Sequence, residues 1–262
     1  MARRCDICSE KYRHYHASGD PRPLPSVTTI LDCIAKPALV GWSFREARKA
    51  TLGVARELYN EYAASGADAA SFAAAVDAKA PKSQYNLPKT AADIGTLVHK
   101  RIESEMRAEL GLDYEDVEIP EFEVVSGRRR EHPAWSSYQA YLAWRRAHDV
   151  RPVELEKRVY SLQLGYAGTT DLEAYVDDVL TIADFKTSAA VYDEYKLQIA
   201  AYRRAYQEMS GDFDSPIGGL VIRFPKEAGD TFEPVGVPWD EQIELQRDFM
   251  SAFRLFKRGL GR

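Results

Sequence analysis

Two strand-like runs joined by a pair of aspartates restrict the fold of this chain more than any other feature. The runs are 171–176 and 179–186, and Asp177-Asp178 between them is typical of a tight β-hairpin turn. In an antiparallel hairpin, the start of the first strand lies beside the end of the second strand. We therefore expect Asp171 and Asp184 to lie close together, although they are far apart in sequence.

Lys186 joins these two carboxylates because side chains alternate between the faces of a strand. Asp184 and Lys186 are two positions apart and therefore share a face. Paired carboxylates suit a hard divalent cation such as Mg²⁺ or Mn²⁺, and an ammonium can position the attacking water or stabilise developing negative charge. Because 29% of the residues are charged, two acids and a lysine at this loose spacing also arise by chance.

The segment that follows Lys186 adds a polar stripe to the same region. Tyr195, Gln198 and Tyr202 recur at i, i+3 and i+7, so they lie on one face of a predicted helix. A glutamine among aromatic side chains needs a buried hydrogen-bond partner. The sequence therefore predicts a polar centre built from the hairpin and the helix after it.

These motifs together resemble the PD-(D/E)XK nucleases. The resemblance is to the RecB-like branch in particular, which includes phage recombination exonucleases and the mitochondrial genome-maintenance exonuclease. It extends from about residue 24 to about residue 224, and Thr170 stands where the family name has proline, as is usual in this branch. The residues that carry it are Gly95–His99, Gly168–Asp171, Asp184–Thr187, Gln198 and Tyr202.

The resemblance implies a fold and an activity. The fold is α/β, a mixed central sheet of about five strands flanked by helices, with an N-terminal helical portion that roofs the active site. The activity is Mg²⁺- or Mn²⁺-dependent hydrolysis of DNA from a free end, in phage or bacterial recombination or repair, with a single-strand annealing protein as a partner. Two alternatives remain open, a structure-specific or restriction-type endonuclease and a non-catalytic DNA-binding module of the same fold.

The resemblance also assigns roles to individual residues. His99, Asp171, Asp184 and the backbone carbonyl of Phe185 would hold the metal ion, and Lys186 would position the attacking water. The Gln198 and Tyr202 side chains would hold Lys186 or a nearby phosphate. Glu156 would be a further metal ligand, as an upstream glutamate is in some family members, and a surface position is its alternative.

The chain is expected to form a single nuclease domain over residues 1–262, with 1–150 as a mainly helical wall that carries His99 and 151–262 as the catalytic core. A hydrophobic content of 45% is enough for one substantial core. Predicted helices cover 25–31, 39–64, 94–110, 133–148 and 240–256, with a helix pair over 63–80 that breaks at Ser65-Gly66. Predicted strands beside the hairpin cover 154–161 and 219–224.

Two basic segments are candidates for DNA binding. Arg45 and Arg48 lie among aromatic residues on a predicted helix, a pattern that suits a single strand and equally suits a solvated helix face. Arg128, Arg129 and Arg130 are expected in a loop, where they would contact phosphates or remain solvated. The net charge of −5 argues against a general nucleic-acid coat but leaves room for such local basic segments.

The cysteines indicate no structural metal and a reducing compartment. An odd count of 3 fits the cytoplasm of a bacterial or phage-infected cell better than a disulfide framework, and a four-cysteine iron–sulfur cluster is not expected. Cys5 and Cys8, followed by His14 and His16, match no strong zinc pattern, and we expect a strand with exposed polar faces at 14–16 instead.

No apolar run in the sequence is long enough for a membrane span.

Overall fold

The computed structural model describes residues 2–4, 12–34, 37–66, 68–125, 127–188, 190–224 and 232–259; at 2–4, 37–46 and 80–95 only the backbone is described. The chain divides into two compact units, one formed by residues 35–94 and the other by 1–34 with 95–262. The single nuclease domain over 1–262 and the helical roof over the active site remain predictions.

Helices and strands alternate irregularly along the chain. The helices are α1 (Val27–Leu31), α2 (Pro37–Ser65), α3 (Ala69–Glu109), α4 (Pro133–Ala147), α5 (Asp193–Ser210) and α6 (Gln242–Lys257). The strands are β1 (Ala2–Arg4), β2 (His14–Ala17), β3 (Leu24–Pro25), β4 (Phe122–Val125), β5 (Arg128–Glu131), β6 (Val150–Ser161), β7 (Tyr166–Val176), β8 (Val179–Thr187), β9 (Gly218–Phe224) and β10 (Glu233–Gly236).

The larger unit is built around a mixed sheet with the strand order β10-β9-β8-β7-β6. Strand β8 pairs with β9 in parallel, and the other neighbours in this sheet are antiparallel. Ile182 and Val221 pack with Ile199 of α5 in the main core. Phe224, on the other side of β9, contacts Tyr141 of α4. The predicted α/β fold, a mixed central sheet flanked by helices, is therefore confirmed.

The predicted hairpin is present, and its turn has the expected backbone. Asp177 and Asp178 have φ angles of 49° and 66°, the left-handed region that two-residue hairpin turns use. Val176 pairs with Val179, so the two aspartates form the turn. This turn fixes the register of β7 against β8 and thereby places the two strand ends that carry the predicted site.

The N-terminal strands form a small sheet that packs against β7. Ser26 caps α1, because its Oγ accepts a hydrogen bond from the backbone N–H of Thr29 at 3.0 Å. The expected exposed polar faces at 14–16 were wrong, because His14 is only 2% exposed and Tyr15 only 1%. Tyr15 packs with Ala167 of β7, which covers one face of this strand.

The smaller unit is a pair of helices, α2 and the first part of α3. Val54 and Val76 are buried between them, and Phe72 packs against this pair. The break at Gly66 is confirmed by its φ of 68°. The residues on both sides of this break are helical as predicted, but they are the end of α2 and the start of α3. The prediction of a separate helix over 94–110 was wrong, because these residues are the last part of the continuous helix α3. Alanine, which has the highest intrinsic helix propensity, dominates the first turns of α3 and favours helix there.

The segment before α4 forms a pair of strands. The expected loop at Arg128–Arg130 was wrong, because these residues form β5, which pairs with β4. The turn between the two strands contains Gly127, whose φ is 75°.

Among the described residues, no helix combines the length and apolar character that a bilayer crossing requires.

Candidate active site

Asp171 and Asp184 meet where β7 and β8 end their pairing. The last pair of the ladder is Leu172 with Ala183, and the two aspartates lie one position beyond it. The backbone N–H of Phe185 donates a hydrogen bond to Asp171 Oδ2 at 2.6 Å. Burial, followed by the negative charge of Asp184, raises the pKa of Asp171 well above its ordinary range. The structure therefore brings the two carboxylates together, as the hairpin predicted.

Asp184 is held by the predicted polar stripe of α5. Its side chain is almost fully buried, and Gln198 Nε2 donates to Asp184 Oδ1 at 2.7 Å. The same Nε2 lies 2.9 Å from the hydroxyl of Tyr202, which accepts its second hydrogen bond. Gln198 thus has the buried partners that the sequence predicted for it, and one of them is the central carboxylate.

Lys186 lies beside Asp184 on the same strand face. Its Nζ is 2.5 Å from Asp184 Oδ2 and 5.1 Å from the ring centre of Tyr195. Burial lowers the pKa of Lys186, but the carboxylates of Asp184 and Asp171 outweigh it and raise this pKa above its ordinary value. The ammonium is therefore protonated at neutral pH and can donate hydrogen bonds but cannot act as a base.

His99 reaches the same region from α3. Its ring lies 5.7 Å from the ring of Phe185 and 6.5 Å from that of Phe224. Burial, with a smaller contribution from the charge of Lys186, lowers the pKa of His99, which keeps the imidazole neutral. A neutral imidazole has a lone pair available for a metal ion.

Among the described residues, buried His99 Nε2 has no hydrogen-bond partner, and Asp184 Oδ2 has only the ion pair with Lys186 Nζ at 2.5 Å. A buried acceptor without a hydrogen bond is unfavourable. Imidazole nitrogens and carboxylate oxygens are both ligands that divalent cations accept. Within the described residues, no three His, Cys, Asp or Glu side chains converge on one point as a ready metal cage. The donor set nevertheless fits a divalent ion.

Glu156 lies opposite Asp171 on the neighbouring strand. The pairs on either side of it are Leu155 with Leu172 and Lys157 with Thr170, and Glu156 itself has a positive φ of 49°. Such a backbone is strained for a residue other than glycine and occurs preferentially at functional sites. Desolvation, followed by the negative charges of Glu103 and Asp184, raises the pKa of Glu156, although its side chain keeps contact with solvent.

Gly168 of the Gly-Thr-Thr-Asp motif allows α5 to approach β7. A Cβ atom at this position would lie 2.4 Å from a ring carbon of Tyr202, closer than any real contact. The glycine therefore makes room for the tyrosine that hydrogen-bonds Gln198. The sequence shows the glycine and the tyrosine but does not show that they touch.

The sequence also gave no signal for a chain of hydrogen bonds that begins near the N-terminus. Arg13 Nη2 donates to the Tyr15 hydroxyl at 3.1 Å, and that hydroxyl lies 2.9 Å from Thr169 Oγ1. Arg13 is close enough to Glu156 to oppose the rise in its pKa. Only the packing of β2 against β7 brings these residues to the centre, so no local pattern could have identified them.

The residues predicted to contact DNA lie in two separate parts of the chain. Arg48 is exposed on α2 in the smaller unit, and the Arg45 side chain lies outside the described residues. Arg128, Arg129 and Arg130 are exposed on β5. The possible zinc ligands Cys5 and Cys8 also lie outside the described residues.

The comparisons with known proteins agree with the motifs. A model of the PD-(D/E)XK nuclease superfamily matches residues 69–258, more than half of the chain. No curated protein matches the sequence. Among solved structures, the chain is similar to a candidate exonuclease from Eubacterium rectale, with 12% identity, a TM-score of 0.39, and coverage of 63% of this chain and 68% of that chain. The range that the family model matches contains His99 and the whole hairpin and α5.

Proposed function

The chain belongs to the PD-(D/E)XK nuclease superfamily, whose members generally use divalent metal ions, and from this premise we propose that it is a Mg²⁺- or Mn²⁺-dependent DNA exonuclease. The observation that carries the proposal is the convergence of two carboxylates, half-buried Asp171 and buried Asp184, with Lys186 Nζ 2.5 Å from Asp184. Like charges buried together are unfavourable without a cation.

In this proposal Asp171, Asp184, His99 and the Phe185 carbonyl hold the cation, with Glu156 as a further candidate ligand. The bound cation polarises the scissile phosphate and lowers the pKa of water. Gln198 and Tyr202 keep the carboxylate of Asp184 in one orientation through their hydrogen bonds.

Lys186 has a separate task. Its protonated Nζ donates a hydrogen bond that orients the attacking water, and it stabilises the charge that develops on the phosphate oxygens. Burial lowers the pKa of Lys186, but the carboxylates of Asp184 and Asp171 outweigh it and raise this pKa, which favours the charged ammonium. We therefore expect Lys186→Ala to remove cleavage while DNA affinity stays within a few-fold, since only about one phosphate contact is lost.

The requirement for a free end is supported by the position of His99. It belongs to a helix of 41 residues, α3, and its ring packs beside Phe185, so a helix lies directly against the strand that carries Asp184 and Lys186. A catalytic strand covered in this way receives a frayed single strand more easily than an intact duplex from the side. Resemblance to phage recombination exonucleases supports the same mode, and with it a cytoplasmic role in recombination or repair beside a single-strand annealing protein.

The test uses one plasmid in covalently closed and linearised forms, together with circular and linear single strands, in the presence of Mg²⁺. We expect progressive loss of the linear molecules only, and no loss with Lys186→Ala. Efficient nicking of closed circles by the wild-type enzyme would instead make the protein an endonuclease. Absence of cleavage of every substrate, with metal and DNA both bound, would leave a non-catalytic DNA-binding module.

A further inference from the structure

A two-stranded ribbon, β4 and β5 with the turn between them, pairs with no other strand among the described residues. We call these residues, 122–131, the arginine ribbon. In both strands every side chain is exposed or nearly so. An isolated pair of strands is only marginally stable in water, because neither face buries apolar surface. Packing among the described residues therefore does not account for the side chains of the ribbon, whereas a binding role would account for them.

Positive charge is concentrated at the end of the ribbon beside the turn. Arg128 and Arg129 are the first residues after Gly127, and neither has an ion-pair partner among the described side chains. Further from the turn, Arg130 is paired with Glu123 at 2.7 Å and is therefore largely neutralised. The turn end is thus a basic point, whereas the acidic residues of the ribbon lie nearer its base.

Apolar side chains share this exposed end. Val124 is 72% exposed and pairs with Arg129, while Val125 pairs with Arg128. The guanidinium of Arg129 also lies 3.8 Å from the ring centre of Phe122, which is on the same face but further from the turn, so the side chain lies along that face of the ribbon. Exposed apolar groups around cationic ones suit a partner that offers both negative charge and apolar edges.

The arrangement of charge on two faces favours a duplex over a single strand. Paired residues share a face, so Arg129 lies on one face of the ribbon and Arg128 on the other. A single strand needs one exposed face, whereas the major groove of a duplex has phosphates along both walls. That groove is about 12 Å wide and accepts a two-stranded ribbon, and thymine methyl groups line it.

From these observations we propose that the arginine ribbon inserts its turn end into the major groove of the duplex part of the DNA substrate. This inference rests on the proposed function, because it takes DNA as the substrate, but it concerns a surface that contributes no residue to the carboxylate centre. Arg128 and Val125 face one wall of the groove and Arg129 and Val124 face the other, so that each arginine contacts phosphates and each valine contacts the base edges on its own side. The ribbon would hold the duplex while a freed strand reaches the centre.

The experiment measures binding of labelled blunt duplex and of the matching single strand by fluorescence anisotropy, with Ca²⁺ in place of Mg²⁺ to prevent cleavage. The double variant Arg128→Ala/Arg129→Ala removes the two charges from the turn end. We expect it to bind duplex about ten-fold more weakly at low salt and to reduce the salt slope of log Kd by about two. Single-strand binding should change less than two-fold.

Two further variants make the result specific. Arg247→Ala/Arg254→Ala removes the same charge from exposed positions on α6 and should leave duplex binding unchanged. Arg128→Lys/Arg129→Lys keeps the charge and should bind duplex nearly as well as the wild type. Equal losses in the ribbon and α6 variants, or equal losses for duplex and single strand, would overturn the proposal. Wild-type duplex binding by Arg128→Ala/Arg129→Ala would also overturn the proposal. An acidic protein would then be the alternative partner for the arginine ribbon.

Failure of this proposal and failure of the proposed function give different results. Cleavage of a short single-stranded oligonucleotide tests the carboxylate centre without any duplex, so the Arg247→Ala/Arg254→Ala variant should cleave it at the wild-type rate and Lys186→Ala should not cleave it. If Lys186→Ala cleaves it, the proposed catalytic centre is wrong, whatever the duplex-binding data show. If only the duplex-binding data differ from the expected result, the proposed catalytic centre is unaffected and the proposed role of the arginine ribbon is wrong.

Discussion

Gln198 shows how a single amide can fix the geometry of the candidate active site. Its Nε2 has two hydrogens, and one is donated to Asp184 while the other is donated to Tyr202. The two oxygens of the buried carboxylate therefore have different neighbours, since Oδ1 accepts from Gln198 and Oδ2 faces the ammonium of Lys186. This arrangement holds the Asp184 carboxylate in one orientation.

At the same scale, His99 can be tested with a substitution that preserves its packing. His99→Phe keeps the ring contacts with Phe185 and Phe224 but removes the unpartnered buried Nε2. We expect Mn²⁺ affinity, measured by titration calorimetry, to fall about ten-fold or more, a loss of about 1.4 kcal/mol. The thermal midpoint of the metal-free protein should remain the same or rise slightly, because an unsatisfied polar atom is replaced by carbon.

The control for this variant is His148→Phe. His148 pairs with Asp177 at the turn of the hairpin, at the end opposite Asp171 and Asp184. The His148→Phe variant should leave Mn²⁺ affinity unchanged. Wild-type Mn²⁺ affinity in His99→Phe would show that His99 is a structural residue only.

Among the elements, the contact of β7 with α5 decides how well the centre is ordered. Gly168 lies on β7 and its missing side chain leaves space for the Tyr202 ring on α5. The same helix supplies Gln198 to Asp184, so a displacement of α5 would move both residues. The glycine of this motif thus supports the site through packing rather than through chemistry of its own.

Gly168→Ala should therefore lower both stability and turnover. The added methyl group would lie 2.4 Å from the Tyr202 ring, so the ring must move and its hydrogen bond with Gln198 is strained. We expect a loss of about 1–3 kcal/mol in the free energy of unfolding, as for other overpacked cores. Thermal unfolding followed by circular dichroism, together with a cleavage assay, measures both effects.

A matched glycine on another element provides the control. Gly53 lies inside α2, and a Cβ atom there would have nothing within 4 Å. Gly53→Ala should stabilise its helix by roughly 0.5–1 kcal/mol because alanine has the higher helix propensity. The packing argument fails if Gly168→Ala keeps the wild-type midpoint and rate.

At the scale of the whole molecule, the carboxylate centre is built from elements that are distant in sequence. A metal ion bound there should therefore raise the free energy of unfolding of the larger unit. His99 comes from α3, the carboxylates come from β7 and β8, and α5 holds one of them. A ligand that binds only the folded state raises the free energy of unfolding by RT ln(1 + [L]/Kd). Metal affinity can therefore be read from thermal stability without any DNA.

We expect Mn²⁺ at about one hundred times its Kd to add about 2.7 kcal/mol and to raise the thermal midpoint by roughly 5–10 °C. A chelator should reverse this increase. In Asp184→Asn the increase should be small, because a neutral amide is a poor ligand for a hard cation. An equal increase in wild type and Asp184→Asn would mean that Mn²⁺ binds elsewhere on the chain.

The sequence by itself determined the hairpin, its two aspartates, Lys186 and the α5 stripe, because these depend on turn chemistry and on the periodicities of strand and helix. These are local properties, and they do not depend on what packs around them. The mixed sheet flanked by helices was expected only from the resemblance to the nuclease family. The same local reasoning failed at α3 and at β5, where helix continuation and strand pairing overrode the expected breaks.

Only the tertiary structure decided which distant residues surround the carboxylates. The hydrogen-bond chain from Arg13 through Tyr15 to Thr169 requires β2 to pack on β7, and the approach of Tyr202 to Gly168 requires α5 to cross the same strand. Burial likewise sets the pKa of Asp171 and leaves the buried oxygen of Asp184 without a hydrogen bond. Long-range packing and desolvation have no signature in sequence spacing, because they depend on elements that meet only when the chain is folded.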